Sequence, residues 1–159
     1  MTIAFTSAHM AFLRAYSAAN YPDECCALIL GKSGEGTREV QEIYPVQNAW
    51  TEESATLWQD TELHPQAQKG TPGDRYAIKP AEMLNAQKYA REQGWGIIGI
   101  FHSHPNSSPK PSQLDSAIAW SEYVYVILSV MQGRAGSLAA WQLDKETQFQ
   151  AVEILTIVD

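Results

Sequence analysis

The run Trp95-Gly-Ile-Ile-Gly-Ile-Phe101, followed at once by His102-Ser-His-Pro105, constrains this chain more than any other stretch. An apolar run that short, marked off by Gly94, reads as a strand buried on both faces rather than as a helix. His102 and His104 then stand at its exit. Residues two apart on a strand share a face, so both imidazoles reach one point while Ser103 points the other way. Pro105, Pro109 and Pro111 are expected to end the ladder there. Beyond them Ser112-Gln-Leu-Asp115 leads into a run, Leu114 to Trp120, that reads as a helix with Asp115 in its first turn.

Two neutral imidazoles and a carboxylate make a three-ligand zinc site whose fourth position is left for water, the arrangement of catalytic zinc. Such a metal lowers the pKa of its water to about 7. A hydrolase needs two further parts: a carboxylate that moves the water's proton, and a donor aimed at the developing oxyanion. Glu24, at the entrance of a second apolar run, Cys25 to Leu30, and Ser112 are the candidates. Each residue also has a plainer explanation. A His-x-His pair alone is commonly a hydrogen-bonded feature, and Ser112-x-x-Asp115 is close to an ordinary capping box. Glu24 alone reads equally as a solvated acid at a strand edge. His9 reads as a packed core residue of the first helix and His64 as a solvent-exposed loop residue. Only in combination do these residues point to metal-dependent hydrolysis.

The rest of the chain supplies one α+β domain over residues 1–159, without internal repeats. Ser7 is expected to cap a helix whose His9, Phe12, Leu13 and Tyr16 form a stripe, ended by Asn20 and Pro22. Cys25 to Leu30 and Arg38 to Val46 read as a hairpin. Asn48 to Asp74 loses periodicity and reads as a long loop. A short strand, Tyr76 to Lys79, precedes a helix opened by Pro80, striped by Met83, Leu84, Ala86 and Ala90, and closed by Gly94. Tyr123 to Val130, Ser137 to Leu143 and Phe149 to Val158 complete it as a meander. Cys25 and Cys26, adjacent on a strand, point to opposite faces and read as small buried hydrophobes rather than a disulfide.

Composition narrows the partners. A net charge of -7 argues against nucleic acid, which recruits basic surfaces. No apolar run approaches the roughly 20 residues of a membrane-spanning helix. The first residues lack a basic segment followed by a long apolar one, so a cytoplasmic location is expected.

Taken together, Glu24, His102-Ser-His-Pro105 and Ser112-x-x-Asp115 resemble the JAMM (MPN+) metalloprotease motif at every position. Pro22-Asp-Glu-Cys-Cys-Ala-Leu-Ile-Leu-Gly31 is similar to that family's opening strand, and Glu-Cys-Cys most resembles its small prokaryotic Mec-type branch. The resemblance implies a curved, mostly antiparallel sheet flanked by helices, related to the cytidine deaminase fold. It implies Zn2+ on His102, His104 and Asp115, with Glu24 as general acid/base and Ser112 supporting the oxyanion. It also implies cleavage of a peptide or isopeptide bond after the tail of a ubiquitin-like or sulfur-carrier protein. Trp50 to Asp74 is longer than a minimal prokaryotic domain needs. Two other classes stand beside the peptidase: a metal-free scaffold, as in family members that lack ligands, and a metal-dependent hydrolase of a small molecule. The Cys-x-x-Cys of zinc deaminases is missing. Oligomeric state is not legible.

Overall fold

The computed structural model describes residues 1–50, 76–112, 115 and 119–158. Among them the elements run β1 (Thr2–Thr6), α1 (Ser7–Asn20), β2 (Cys26–Ser33), β3 (Thr37–Val46), α2 (Pro80–Gln93), β4 (Gly96–Pro105), β5 (Val124–Met131), β6 (Arg134–Leu143) and β7 (Phe149–Ile157). The α+β expectation holds, but the expected curved sheet is a closed barrel instead. The strands close into a barrel in the order β1-β3-β2-β4-β5-β6-β7. Closure comes from β1, a strand that local pattern did not announce. It lies parallel to both β3 and β7, so the two edges an open sheet would leave are joined through five residues. The β4–β5 ladder is parallel as well, and the other four ladders are antiparallel.

One apolar cluster draws on all seven strands and therefore fills the lumen, including Ile3, Phe5, Ile29, Phe101, Val126 and Val152. Leu13 of α1 packs into it. That helix is capped by Thr6 rather than Ser7: the Thr6 hydroxyl accepts the His9 N–H at 3.1 Å, and His9 Nδ1 accepts the Thr6 N–H at 3.2 Å. His9 is thus a capping residue rather than a packed core residue. Phe12 faces outward and stacks on Tyr16.

A second cluster lies outside the barrel, where Cys26, Leu28 and Leu30 of β2, Ile100 of β4 and Tyr125 of β5 meet Ala86 and Ala90 of α2. Two alanines let the helix sit close. Pro80 opens α2, and Gly94 closes it at φ 81, donating its N–H to the Ala90 and Arg91 carbonyls. Leu84, expected in the stripe, is exposed.

Between the two clusters β4 changes face. Ile97 pairs with Leu30 on the outer side, and Gly99 pairs with Ile29 on the lumen side, leaving Ile98 as an extra residue. This bulge matters because a one-residue slip sends every later side chain to the opposite face. Without it His102 and His104 would point into the lumen. Gly99 is required here, since a Cβ would come within 2.6 Å of the Val124 carbonyl oxygen.

Three other boundaries differ from expectation. Tyr76 to Lys79 is not a strand: Ala77 meets the chain through one backbone bond from Ala49 and a bond to the Asn48 side chain. A two-residue turn at Gln132-Gly133, with φ 51 and 82, starts β6 at Arg134 instead of Ser137. Of the run read as a helix from Leu114 to Trp120, Asp115 is helical, Ala119 and Trp120 are not, and the remainder lies outside the described residues. So does the expected loop beyond the buried Trp50, with His64 in it. No helix among the described residues is long and apolar enough to cross a membrane.

Candidate active site

The parallel ladder to β5 carries β4 past the histidines, pairing His102 with Ile127, His104 with Ser129 and Pro105 with Val130. The histidines therefore lie within the strand and not at its exit. Pro105 ends the strand without breaking it, because the following Asn106 supplies an N–H to the Val130 carbonyl at 2.7 Å.

Three side-chain atoms from these elements converge. His102 Nε2 and His104 Nε2 lie 3.1 Å apart, and Asp115 Oδ2 lies 3.4 Å from the first and 3.2 Å from the second. All three residues are buried. A tetrahedral zinc with bonds of about 2.0 to 2.2 Å would separate its ligand atoms by about 3.4 Å. The chemistry of the donors fits as well as the spacing. His104 Nδ1 lies 2.8 Å from the Ser108 carbonyl, which can only accept, so that nitrogen carries the proton and Nε2 of the neutral ring presents a lone pair. Tyr76 stacks on the His102 ring at 4.5 Å between centroids.

Burial opposes charge on Asp115, but with no cation between them a proton held on the facing His102 and His104 nitrogens, together with the Ser112 N–H, outweighs it and holds the carboxyl well below the usual carboxylate range. For His102 burial prevails over the pull of Asp115 and pushes the imidazole down, favouring the neutral ligand form. Ser112 and Asp115 do form a reciprocal capping box, with Ser112 N–H to Asp115 Oδ2 at 2.7 Å and Asp115 N–H to Ser112 Oγ at 3.0 Å. The capping and ligand readings are compatible, because the oxygen that takes the Ser112 N–H is the one facing both imidazoles.

Glu24 joins the site from β2's side. Its carboxylate and the two imidazoles offer ligand atoms that all lie within 4.8 Å of one another, and Glu24 is buried. No sequence spacing links Glu24 to the histidines, yet the antiparallel register does: Cys26 pairs with His102, so Glu24, two residues back, falls level with His104. Asn48, not singled out from sequence, donates Nδ2 to the Glu24 carbonyl at 3.0 Å. Cys25 and Cys26 are buried free thiols, and burial pushes both pKa values up. Beside the site, between α2 and the β4–β5 surface, a cavity of about 550 Å³ is lined by Tyr76, Met83, Ile100, Trp120, Tyr123 and Tyr125 among others.

The model of the prokaryotic homologs of the JAB domain matches residues 6–144. The chain belongs to that family. The resemblance read from the motif is borne out. This JAB-family chain is 30% identical over 114 residues to the desampylase of Haloferax volcanii, covering 71% of this chain and 67% of the relative. It is 29% identical over 100 residues, 63% of its length, to the "Probable TtuB-protein conjugate cleaving protease" of Thermus thermophilus, and covers 55% of that protein. It is also 28% identical over 106 residues, 66% of its length, to the tail tip assembly protein K of Escherichia phage N15, spanning only 31% of that longer chain. Among solved structures, a protein of Desulfitobacterium hafniense superposes with a TM-score of 0.77 at 24% identity, covering 99% of this chain and 94% of that one. A JAB1/MPN domain protein of Archaeoglobus fulgidus superposes at 0.51 and 15% identity over 98% and 99% of the two chains, a likeness of fold alone.

Proposed function

We propose that this JAB-family chain is a zinc-dependent peptidase or isopeptidase that cuts after the C-terminal tail of a ubiquitin-like or sulfur-carrier protein. The observation that carries the metal is the convergence of His102 Nε2, His104 Nε2 and Asp115 Oδ2 at 3.1 to 3.4 Å, with the His104 tautomer turned for ligation. The similarity to the desampylase and to the conjugate-cleaving protease supports the substrate class. When bound, zinc supplies Lewis acidity, activating water at neutral pH and polarising the scissile carbonyl. Glu24 takes the water's proton at a carboxylate oxygen and returns it to the leaving nitrogen. The Ser112 hydroxyl accepts the Asp115 N–H, and a hydroxyl that accepts can still donate, here to the oxyanion. Tyr76, stacked on His102, limits the freedom of that ring. A metal-free scaffold has no use for the complete ligand set, so the peptidase is the better supported class.

The test is to incubate zinc-loaded protein with ubiquitin-like sulfur carriers extended beyond their Gly-Gly ends by a short peptide, and to weigh the products. Release of the carrier ending in Gly-Gly is expected. Carriers left whole by a folded, zinc-loaded protein would contradict the proposal.

A further inference from the structure

Ser103 stands between the two histidines, and its side chain takes no part in their cluster. It is buried at 0% exposure on the lumen side of β4, and its Oγ accepts the Cys25 N–H at 2.9 Å. Its own N–H donates to the Cys25 carbonyl at 3.0 Å. On the other side, the Asn48 Nδ2 donates to the Glu24 carbonyl at 3.0 Å. The Glu24 carbonyl and the Cys25 N–H are the two ends of one planar peptide group. Within a regular ladder, neighbouring backbone would hold those ends. Here two side chains from different parts of the chain do so, just before β2 begins at Cys26.

We infer that Ser103 and Asn48 are positioning residues that clamp the Glu24–Cys25 peptide plane from its two ends and thereby aim the Glu24 carboxylate at the histidine cluster. The orientation of this plane sets ψ of Glu24 and φ of Cys25. A tilt of the plane therefore swings the Glu24 side chain relative to β4. Misplacement of a reacting group by about 1 Å can cost a hundredfold in rate, so the clamp acts on turnover. The inference rests on Glu24 being the base of the proposed reaction. A purely structural role, satisfying two buried backbone groups, is the alternative.

The test compares Ser103→Ala, Ser103→Thr and Asn48→Asp, each purified with its zinc content measured, on a sulfur carrier extended beyond Gly-Gly. Ser103→Thr keeps the acceptor oxygen, and Asn48→Asp keeps the acceptor atom for the Trp50 and Ala77 N–H groups while losing the donor to Glu24. Ser103→Ala and Asn48→Asp should keep one zinc per chain and KM within about twofold while kcat falls about tenfold to a hundredfold. Ser103→Thr should recover most of kcat. In a Glu24→Gln background, Ser103→Ala should cost nothing further, because its effect runs through Glu24. If Ser103→Ala does not fold, Asn48→Asp carries the same prediction. Hydrogen exchange of the Cys25 amide, independent of activity, should quicken in Ser103→Ala. Folded, zinc-loaded variants with kcat within about twofold of wild type, an equal loss in the Glu24→Gln background, or an unchanged Cys25 amide would overturn the clamp. An inactive wild type would instead sink the peptidase proposal and leave the exchange measurement to decide the clamp.

Discussion

His104 Nε2 and Asp115 Oδ2 lie 3.2 Å apart, although the other nitrogen of the same ring already gives its proton to the Ser108 carbonyl. In the neutral ring both facing atoms are lone-pair acceptors, and His102 Nε2 adds a third donor atom 3.1 Å from His104. A cation between them resolves that arrangement. Wild type is therefore expected to bind one zinc per chain, and His102→Ala and Asp115→Ala each to lose it. Metal analysis after dialysis checks this, and full occupancy in either variant would refute the ligand assignment.

Ser112 is given two roles that separate by measurement. Removing a cap with alanine costs about 1 kcal/mol of stability, whereas losing an oxyanion donor costs about a hundredfold or more in turnover. Ser112→Ala should show both in denaturant titration and kinetics. Ser112→Asp restores the cap but presents an acceptor, so it should recover stability and stay slow. A fully active Ser112→Asp would leave capping as the whole role.

Gly99→Ala tests the bulge that turns the histidines outward. Its Cβ would meet a backbone oxygen, Val124 O, at 2.6 Å, so β4 and β5 must separate locally. Overpacking of this kind costs about 1 to 3 kcal/mol. The variant should unfold at lower denaturant and hold zinc less tightly. Wild-type stability and zinc affinity together would remove the bulge from the account.

The candidate site residues stood out because their chemistry is concentrated: His102, His104, Ser112 and Asp115 fall within one short segment, and Glu24 opens an apolar run. What links them did not. Glu24 reaches the histidines through the β2–β4 register, which spans 78 residues between Cys25 and Ser103. The face of β4 was ambiguous too, because both of its sides are buried and an apolar run shows no alternation to betray a bulge. Barrel closure depends on β1, five residues whose partners lie far along the chain at Thr37 to Glu39 and Glu153 to Ile157. The ends of α2 were readable, since Pro80 and Gly94 act locally.

Cys25 and Cys26 are 2% and 0% exposed, and burial raises both thiols. A thiol needs both access and thiolate character to react. A disulfide-exchange reagent should leave the native protein untouched over minutes and titrate both thiols in denaturant. Rapid labelling of the folded protein would mean that the β2 entrance opens readily.

The role of Glu24 as the base of a zinc peptidase is tested most directly by one comparison. Wild type and Glu24→Gln, matched for zinc content, are given a sulfur carrier extended beyond Gly-Gly, and intact masses are followed in time. An amide keeps the shape of the side chain but cannot take the water's proton, so turnover should fall by about a hundredfold or more. The wild type should release the carrier ending in Gly-Gly while the variant leaves it whole. Equal cleavage by both proteins, or none by either, would contradict the account.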